Sequence, residues 1–565
     1  MIKLAEFATV AEFFGDKKEL REISNKIRVR VPRYWMSPAY KLFQRTQGKL
    51  GWDGYEYPLA YKREHWLAKR GHIEAIIEAA QKLGIEIDAS TRRPSPFVGL
   101  TIDDLPGNLL PGAPFDPDLL QQECIVELLR HATGSIRAVV SSGKTMIFWS
   151  VAAMVKRLFP NSRVLYVTPT ERLVNQVFKE GKKFLPDWSI SQFGGGKRDF
   201  SGTDAVVCTA AAVWANFDEL KASGWFKTFY VLLFDEAHHL GGAESWIKLG
   251  EATPAFFRFG ASDSLKDERE DDRCAWMKIR GLTGPRRATI DSHPLIEVGR
   301  VATPWLYLID PPGWQGKFDG LSHQAEPMTQ AWTLHEHAWV KATYLGPATM
   351  ESPSGQEVQK LGYHQVQFAD GREVQVESRL TLLKRTYDEA VIRNQDRNGL
   401  VVDWVKHFVG KGYPTLVVAT RTPHILILDG LLKRAGLEVE ILTSDHSSKE
   451  RDEVFAWLTA GPPRVLVSGI VKEGVSIPEL KAGVVADVVV SVDLARQIIG
   501  RFIRKKPDGD NHAHVAWFID RTYPSARRGC LKLFDELQTL KGYNFRYPCV
   551  GPDQTGNLYR AADLS

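Results

Sequence analysis

The ten residues from 231 to 240 read VLLFDEAHHL and constrain the fold more than any other stretch of this chain. Four successive apolar residues are typical of a central strand in a parallel sheet, which is buried on both faces. Asp235 and Glu236 follow at the carboxyl end, where open α/β sheets bind their ligands. Such an acidic pair can hold Mg²⁺ and orient a water for attack on a phosphate, although an acidic turn without function has the same composition.

The composition indicates a large multidomain protein. The chain has 565 residues, 44% hydrophobic and 25% charged, which as a prior suggests roughly three or four domains. Its five cysteines are scattered without CxxC spacing, which argues against a disulfide framework or a zinc module. The amino terminus lacks a signal-peptide pattern, and no window approaches the roughly 18 apolar residues of a membrane span. We expect a cytoplasmic protein without a membrane partner.

Apolar strands alternate with helical segments in two regions, 118–312 and 384–545. This alternation predicts two α/β domains, each with a parallel sheet covered by helices. Residues 1–95 mix short strands with an amphipathic helix and predict a small α+β domain. The Pro- and Gly-rich residues 96–117 predict a linker, and residues 546–565 form a carboxyl-terminal tail.

Residues 313–383 differ in character from the α/β regions on either side. Two alternating segments flank Asp370 and Gly371, which is a strong signal for a β-hairpin. We predict a small SH3-like β-barrel inserted between the two α/β domains. Two roles remain open for this module: a spacer or protein-contact module, and a nucleic-acid clamp. One expectation is therefore that a protein partner binds to this module.

The segment AVVSSGKT matches the last residues of a phosphate-binding loop motif, and an apolar helical run follows it. Gly143 lets the backbone approach phosphate oxygens, whose charge the following helix N-terminus would stabilise. Lys144 would reach the β- and γ-phosphates, and Thr145 would ligate Mg²⁺ together with Asp235. Ser141 replaces a loop glycine and makes the turn less permissive. The predicted nucleotide contacts of this loop are Ser141, Ser142, Gly143, Lys144 and Thr145.

A basic element lies in the carboxyl-terminal α/β region. Gln497, Arg501 and Arg504 recur at helical spacing and would share one helical face. Guanidinium groups can act on a γ-phosphate from a neighbouring domain, although a basic surface helix would look similar. Upstream, an apolar strand leads into a loop with Glu473 and Gly474, which we predict to contact the nucleotide across a domain cleft.

From Leu119 to Asp520 these motifs resemble, in order, those of superfamily-two helicases of the DEAH-like kind. The likeness is greatest to phage UvsW-type helicases and their RecG-like and type III restriction relatives. Residues 138–145 resemble motif I, 235–238 motif II and 497–504 motif VI. The resemblance implies two RecA-like domains that bind ATP and Mg²⁺, with Gln121 as the reader of adenine.

Other segments resemble the motifs with which this family lines the nucleic-acid strand. Residues 164–176 resemble motif Ia, 207–210 motif Ib and 416–424 motif IV. The segment 262–264 reads Ser-Asp-Ser and departs from the usual motif III, which couples hydrolysis to movement. Ser476 stands where motif V commonly has aspartate. The nucleic-acid contacts implied by the resemblance are Thr168, Pro169, Arg172, Thr209, Arg421, His424 and Ser468.

The resemblance implies an ATP-dependent DNA helicase or translocase for branched or partly single-stranded DNA in recombination, repair or replication. Lys144, Asp235 and Glu236 would be its catalytic residues in the first motor domain. An RNA helicase, and a weakly active binding motor partnered with a separate nuclease, both remain open. The basic and aromatic residues within 1–95 suit duplex or branch-point binding, but a solvated basic face beside an aromatic core has the same composition.

Overall fold

The computed structural model of the chain forms two compact units, Met1–Pro294 and Leu295–Ser565. None of the described helices is both long and apolar enough to cross a membrane. The residues that the structure describes are 1–32, 34–114, 116–265, 273–311, 320–321, 330–335, 338–351, 357–377, 379–443, 445–469, 477, 479–507, 509–520, 526–549, 552 and 557–560.

The amino-terminal region of the first unit is a five-stranded sheet with helices packed against it. Its sheet order is β5-β6-β2-β1-β7, and only the pairing of β1 with β7 is parallel. Leu20 and Ile23 of one helix and Ile73 and Ile76 of another are buried at helical spacing, so each helix presents one apolar face to the core. The elements are β1 (Ile2–Glu6), β2 (Val10–Phe14), α1 (Lys17–Ile27), β3 (Val29–Arg30), α2 (Pro38–Arg45), β4 (Tyr55–Glu56), β5 (Leu59–Lys62), β6 (His65–Lys69), α3 (Ile73–Lys82) and β7 (Ile87–Asp88).

The second part of the first unit is the predicted α/β domain, and its parallel sheet is confirmed. The sheet order is β11-β10-β12-β9-β13-β14-β8-β15, with only the short β11 antiparallel. The elements are α4 (Leu119–His131), β8 (Thr133–Ala138), α5 (Lys144–Leu158), β9 (Val164–Thr168), α6 (Glu171–Phe184), β10 (Ile190–Gly194), β11 (Lys197–Arg198), β12 (Ala205–Thr209), α7 (Ala210–Ala215), α8 (Phe217–Ala222), β13 (Val231–Asp235), α9 (Glu244–Ala252), β14 (Phe257–Ser262), α10 (Arg273–Thr283) and β15 (Arg286–Ile290).

The segment 96–117, predicted as a linker, is bonded to the α/β domain that follows it. Arg130 donates to the carbonyl oxygen of Leu100 at 2.6 Å, and the backbone N–H of Gly112 donates to the carbonyl oxygen of Phe184 at 3.0 Å. These bonds fix the segment along the domain surface, so it is a packed connection rather than a loose tether.

The second unit contains a second parallel sheet and a separate antiparallel sheet. Its described elements are α11 (Ser292–Glu297), β16 (Thr303–Ile309), β17 (Gly320–Leu321), β18 (Gln330–His335), β19 (Ala338–Glu351), β20 (Glu357–Phe368), β21 (Glu373–Glu377), α12 (Arg379–Tyr387), α13 (Gln395–Gly410), β22 (Thr415–Val418), α14 (Thr422–Arg434), β23 (Val439–Leu442), α15 (Ser448–Thr459), β24 (Val465–Ser468), β25 (Ala482–Val485), α16 (Val492–Phe502), β26 (His512–Phe518), α17 (Arg527–Gln538), β27 (Asn544–Cys549) and β28 (Asn557–Arg560).

The second parallel sheet has the order β23-β24-β22-β25-β26-β16-β27-β28, with only β28 antiparallel. Its strands do not all lie within the predicted limits of one domain. The predicted limit at 312 places β16 in the first α/β domain, but this strand pairs in parallel with β26 and β27 of the second α/β domain. The predicted tail also supplies β28 and most of β27 to this sheet. The sheet of β16 could not be predicted because its parallel partners are distant in sequence, so the strand pattern does not say which sheet the strand joins.

The inserted region folds as an antiparallel sheet in the order β17-β18-β19-β20-β21. The predicted hairpin pairs as expected, with Gln367 opposite Glu373 and Gly371 at φ 84° in the turn. The side chain of Asp370 accepts from the backbone N–H of Arg372 at 3.0 Å, which closes the turn. Closure of this sheet into a barrel remains a prediction.

Candidate nucleotide site

The segment predicted to bind phosphate connects β8 to α5 at the carboxyl end of β8. Its backbone turns through two left-handed residues, Ser141 with φ 68° and Gly143 with φ 83°. Glycine adopts this conformation at little cost, whereas a serine there stores roughly 1–3 kcal/mol of strain. Lys144 and Thr145 begin α5, so the unpaired N–H groups of a helix N-terminus adjoin the loop. The loop and the start of α5 therefore have the backbone geometry of an anion-binding turn, and phosphate binding there stays a prediction.

Gln121 joins this loop to helix α4. Its Nε2 atom donates to the carbonyl oxygen of Ser142 at 2.9 Å, and its Oε1 atom accepts from the backbone N–H of Asp118 at 3.0 Å. Asp118 also caps α4 by accepting from the backbone N–H of Gln121. A Cβ atom at Gly143 would lie 2.1 Å from Nε2, so glycine leaves the room for this contact. Gln121 positions the loop, and its predicted contact with adenine stays a prediction.

Lys144 and Glu236 form an ion pair, with 3.0 Å between Nζ and Oε1. Burial opposes charge on Lys144, but Glu236 and Asp235 raise its pKa above the ordinary value. Burial opposes charge on Glu236 as well, yet Lys144 and His238 hold the pKa of that carboxyl below its usual range. Burial and the charge of Glu236 raise the pKa of Asp235 to about 7. A cation bound beside Asp235 would favour its charged form.

Strand β14 lies between β13 and β8, so its last residue, Ser262, stands between the acidic pair and the phosphate loop. The Ser262 hydroxyl donates to Oε2 of Glu236 at 2.9 Å and lies 2.8 Å from Nδ1 of His238. Glu236 itself has φ 52°, a left-handed conformation that costs free energy for a residue with a side chain. Ser262 thus fixes the second oxygen of Glu236. Its segment departs from motif III in sequence, and Ser262 was not among the predicted site residues.

The residues around the loop fit a Mg²⁺-bound nucleotide. The Oγ atom of Ser142 is buried and has no hydrogen-bond partner among the described residues. Gly143 places no side chain over the turn, and Lys144 already neutralises an acidic group there. Thr145 and Asp235 offer the oxygen ligands that Mg²⁺ prefers. This part of the first unit can therefore accept phosphate oxygens and a divalent cation.

Four of the predicted nucleic-acid contacts have buried side chains. Thr168 is fully buried at the end of β9, and the Thr209 side chain caps α7 by accepting from the backbone N–H of Ala212. His424 is fully buried with Nε2 3.0 Å from Oδ1 of Asn398. The buried Ser468 hydroxyl donates to the carbonyl oxygen of Leu442. Pro169 and Arg172 are half-buried and Arg421 is exposed, and the nucleic-acid contacts of all seven residues stay predictions.

The basic element of the second unit is only partly helical. Gln497 and Arg501 lie on α16, which ends at Phe502, and Arg504 follows the helix in a β-bridge with Val301. The expectation that all three polar residues share one helical face is therefore wrong for Arg504. Buried Ile503 follows the helix, and its carbonyl oxygen accepts from the backbone N–H of Ala302, which draws the chain into the bridge. Glu473 and Gly474 lie outside the described residues.

Two family models match the chain. The model described as "Type III restriction enzyme, res subunit" matches residues 115–262, which include the phosphate loop and the acidic pair. The model described as "Helicase conserved C-terminal domain" matches residues 401–506, which include the basic element. The two matches occur in the order that the sequence motifs predict.

The chain is similar to the ATP-dependent DNA helicase uvsW of Enterobacteria phage T4, with 24% identity over 221 residues, or 37% of this chain and 42% of that protein. The crystal structure of T4 UvsW aligns over 96% of this chain and 98% of that one, with a TM-score of 0.42 and 17% identity. The DUF1998 helicase MrfA bound to DNA aligns over 78% of this chain and 51% of that one, with a TM-score of 0.50 and 13% identity. The chain spans less than half the length of the curated relatives it matches.

Proposed function

We propose that this chain is an ATP-dependent DNA helicase or translocase with two motor domains of the superfamily-two kind, which the two family-model matches support. Its substrate would be branched or partly single-stranded DNA in recombination, repair or replication. The observation that carries the proposal is the pairing of Lys144 with one oxygen of Glu236 and of Ser262 with the other. The sequence likeness to a protein named as a DNA helicase supports DNA as the polymer.

In the proposed reaction, Lys144 would exchange its carboxylate partner for phosphate oxygens of ATP. That exchange leaves Oε1 of Glu236 available to orient the attacking water and accept its proton, while Ser262 keeps Oε2 in place. Thr145 and Asp235 would hold Mg²⁺, which supplies positive charge to the phosphate oxygens. Gln121 would keep the loop in the conformation that accepts the phosphates.

The remaining predicted residues would act on phosphate groups. Arg501 and Arg504 are proposed to stabilise the phosphate charge of the nucleotide, and Gln497 to contact the same group. Arg172 and Arg421 are proposed to contact the strand through its phosphates. Phosphate contacts carry no sequence information, so binding should tolerate any sequence and weaken with salt.

The test is ATP hydrolysis by the full chain with single-stranded DNA, duplex DNA, a four-way DNA junction and RNA of matched length. We expect the DNA junction to give the largest stimulation and Glu236→Gln to abolish it. A larger response to RNA would favour an RNA helicase instead. No stimulation by any nucleic acid would contradict a translocating motor and favour a binding subunit.

A further inference from the structure

The first unit contains a groove where its amino-terminal region meets helix α10, with a volume of about 350 Å³. One wall comes from α1 and α3 of the amino-terminal sheet domain, and the other comes from α10 of the motor domain. Of the described residues that line this groove, five are cations and one is a carboxylate. The cations are Lys26, Arg28, Lys82, Arg273 and Arg280, and the carboxylate is Glu78.

Among the described residues that line the groove, cations outnumber carboxylates by five to one, and the carboxylate is Glu78. Its Oε1 atom lies 2.6 Å from Nζ of Lys82, one helical turn away on α3. Lys26, Arg28 and Arg273 are exposed at the rim. The Arg28 guanidinium lies 4.1 Å from the ring centroid of Tyr55, which restricts the conformations open to it. A polyanion entering this groove would therefore meet cations from both walls.

The two walls are joined tightly within the unit. Gly71 lies so close to α10 that a Cβ atom there would be 1.8 Å from the carbonyl oxygen of Arg280. Glu74 accepts from Arg287 at 2.7 Å, and Arg70 donates to the carbonyl oxygen of Phe256 at 2.5 Å. The groove is therefore preformed, and little free energy would be needed to order it around a ligand.

Helix α10 also contacts the segment that follows the acidic pair. The residues Ala237–Gly241 form a 3-10 turn after Glu236, and a Cβ atom at Gly241 would lie 2.7 Å from Cβ of Ala275 on α10. One face of α10 thus packs behind the predicted hydrolysis site while Arg273 and Met277 line the groove. A ligand in the groove would touch the same helix that supports this turn.

We propose that this groove is a second nucleic-acid site, which binds the sugar-phosphate backbone of the substrate outside the strand contacts of the motor motifs. Arginine forks and lysine ammonium groups in a preformed groove suit phosphate oxygens, and such contacts require no particular base sequence. The inference rests on the proposed function, since it assumes that the motor engages nucleic acid. It adds that the amino-terminal region and α10 bind that nucleic acid jointly.

The test is equilibrium binding of the full chain to a fluorescent DNA duplex, measured by anisotropy over a range of salt concentrations. The double variant Arg28→Glu, Arg273→Glu should bind about tenfold more weakly or worse, and its salt slope should fall by about one for each phosphate that it no longer neutralises. Arg157→Glu is the matched control, because Arg157 is an exposed arginine at the end of α5 that does not line the groove. Arg273→Lys should retain most of the affinity.

A double variant with the affinity and salt slope of the wild type would overturn the proposal, as would an equal reduction in Arg157→Glu. The double variant could instead lose binding to a poly-glutamate peptide and retain its binding to nucleic acid. That result would assign the groove to an acidic protein and would also overturn the proposal. Binding to a duplex RNA of the same length is measured in the same way, and the tighter-bound duplex shows which polymer supplies the phosphates. The site is supported if the wild-type chain binds nucleic acid and the double variant does not. The proposed function itself is contradicted if nucleic acid does not stimulate ATP hydrolysis by the wild-type chain.

Discussion

The hydroxyl of Ser262 donates a 2.9 Å hydrogen bond to Oε2 of Glu236 and joins the ends of the adjacent strands β14 and β13. Lys144 occupies the other oxygen of the same carboxylate at 3.0 Å. Because the Glu236 backbone is left-handed, its conformation depends on these surrounding contacts. The proposed base is thus held by two partners from two different elements, β14 and α5, and each can be removed separately.

Ser262→Ala should lower nucleic-acid-stimulated ATP turnover without preventing nucleotide binding. A hydrogen bond to a charged group contributes about 1.5–3 kcal/mol, so a fall of roughly tenfold to a hundredfold is expected. The measurement is phosphate release at saturating ATP. Ser135→Ala is the control, since Ser135 is buried on neighbouring β8 and its hydroxyl has no partner among the described residues. Equal turnover in both variants would show that the Ser262 bond has no part in hydrolysis.

Glu236→Gln should abolish turnover and leave ATP binding intact. An amide cannot accept the proton of the water, and loss of a general base costs about a hundredfold to ten-thousandfold in rate. Lys144→Ala should also abolish turnover but should weaken binding, because it removes the proposed phosphate contact. Fluorescent-nucleotide binding beside phosphate release separates the two effects. Normal hydrolysis by either variant would contradict the site assignment.

Gln121→Ala should raise the KM for nucleotide, because it leaves the Ser142 carbonyl without its donor and loosens the phosphate loop. It should also cost about 1 kcal/mol of stability by weakening the cap of α4. Asp118→Ala, which removes the other half of the same cap, should cost stability while leaving KM nearly unchanged. KM values for ATP and GTP decide between two roles. A rise for both nucleotides indicates loop positioning, and a rise for ATP alone indicates that Gln121 reads adenine.

Gly71→Ala should destabilise the first unit by about 1–3 kcal/mol, since a methyl group there would overlap the Arg280 carbonyl and force the amino-terminal region away from α10. The measurement is the free energy of unfolding in urea. Gly99→Ala is the control, because a Cβ atom at Gly99 meets nothing within 4 Å. Equal stability of the two variants would show that the contact between these elements is not maintained in solution.

Acid should destabilise the second unit through His424. Burial lowers the pKa of this imidazole to about 3 from its ordinary 6.5, so the folded state excludes a proton that the unfolded state accepts. Stability is therefore unaffected above pH 6.5 and is lost as the pH falls from there towards 3, by about 2 kcal/mol at pH 5. The measurement is the free energy of unfolding in urea as a function of pH. His424→Gln should reduce its slope between pH 6.5 and 3, whereas replacement of the exposed His512, the control, should not. A slope unchanged by His424→Gln would exclude this residue as the source.

The parts of the fold that follow from local pattern could be predicted from the sequence. The run before Asp235 is a buried strand, and the Asp370-Gly371 turn closes a hairpin, because both depend on near neighbours in the chain. The turn before α5 could be predicted as well, since Gly143 and the start of α5 are adjacent in sequence.

Features that depend on distant partners could not be predicted. The motif around Thr209 does not reveal that this side chain turns inward to cap a helix, and the one around His424 does not reveal Asn398 as its partner. The spacing of Arg504 suggested a helix, but a bridge to Val301 ends that helix first. The hydrogen bond from Ser262 to Glu236 likewise could not be predicted, because it depends on the order of the strands in the sheet, which sequence alone does not give.

The position of β16 between β26 and β27 has a consequence for the synthesis of this protein. A ribosome releases β16 long before the two strands that flank it, so the nascent chain must carry this apolar segment unpaired until β26 emerges. A fragment that starts at 384 would lack the segment and leave two neighbouring strands without their shared partner. Assembly of the second sheet is thus a late event, completed only after β27 has joined β16.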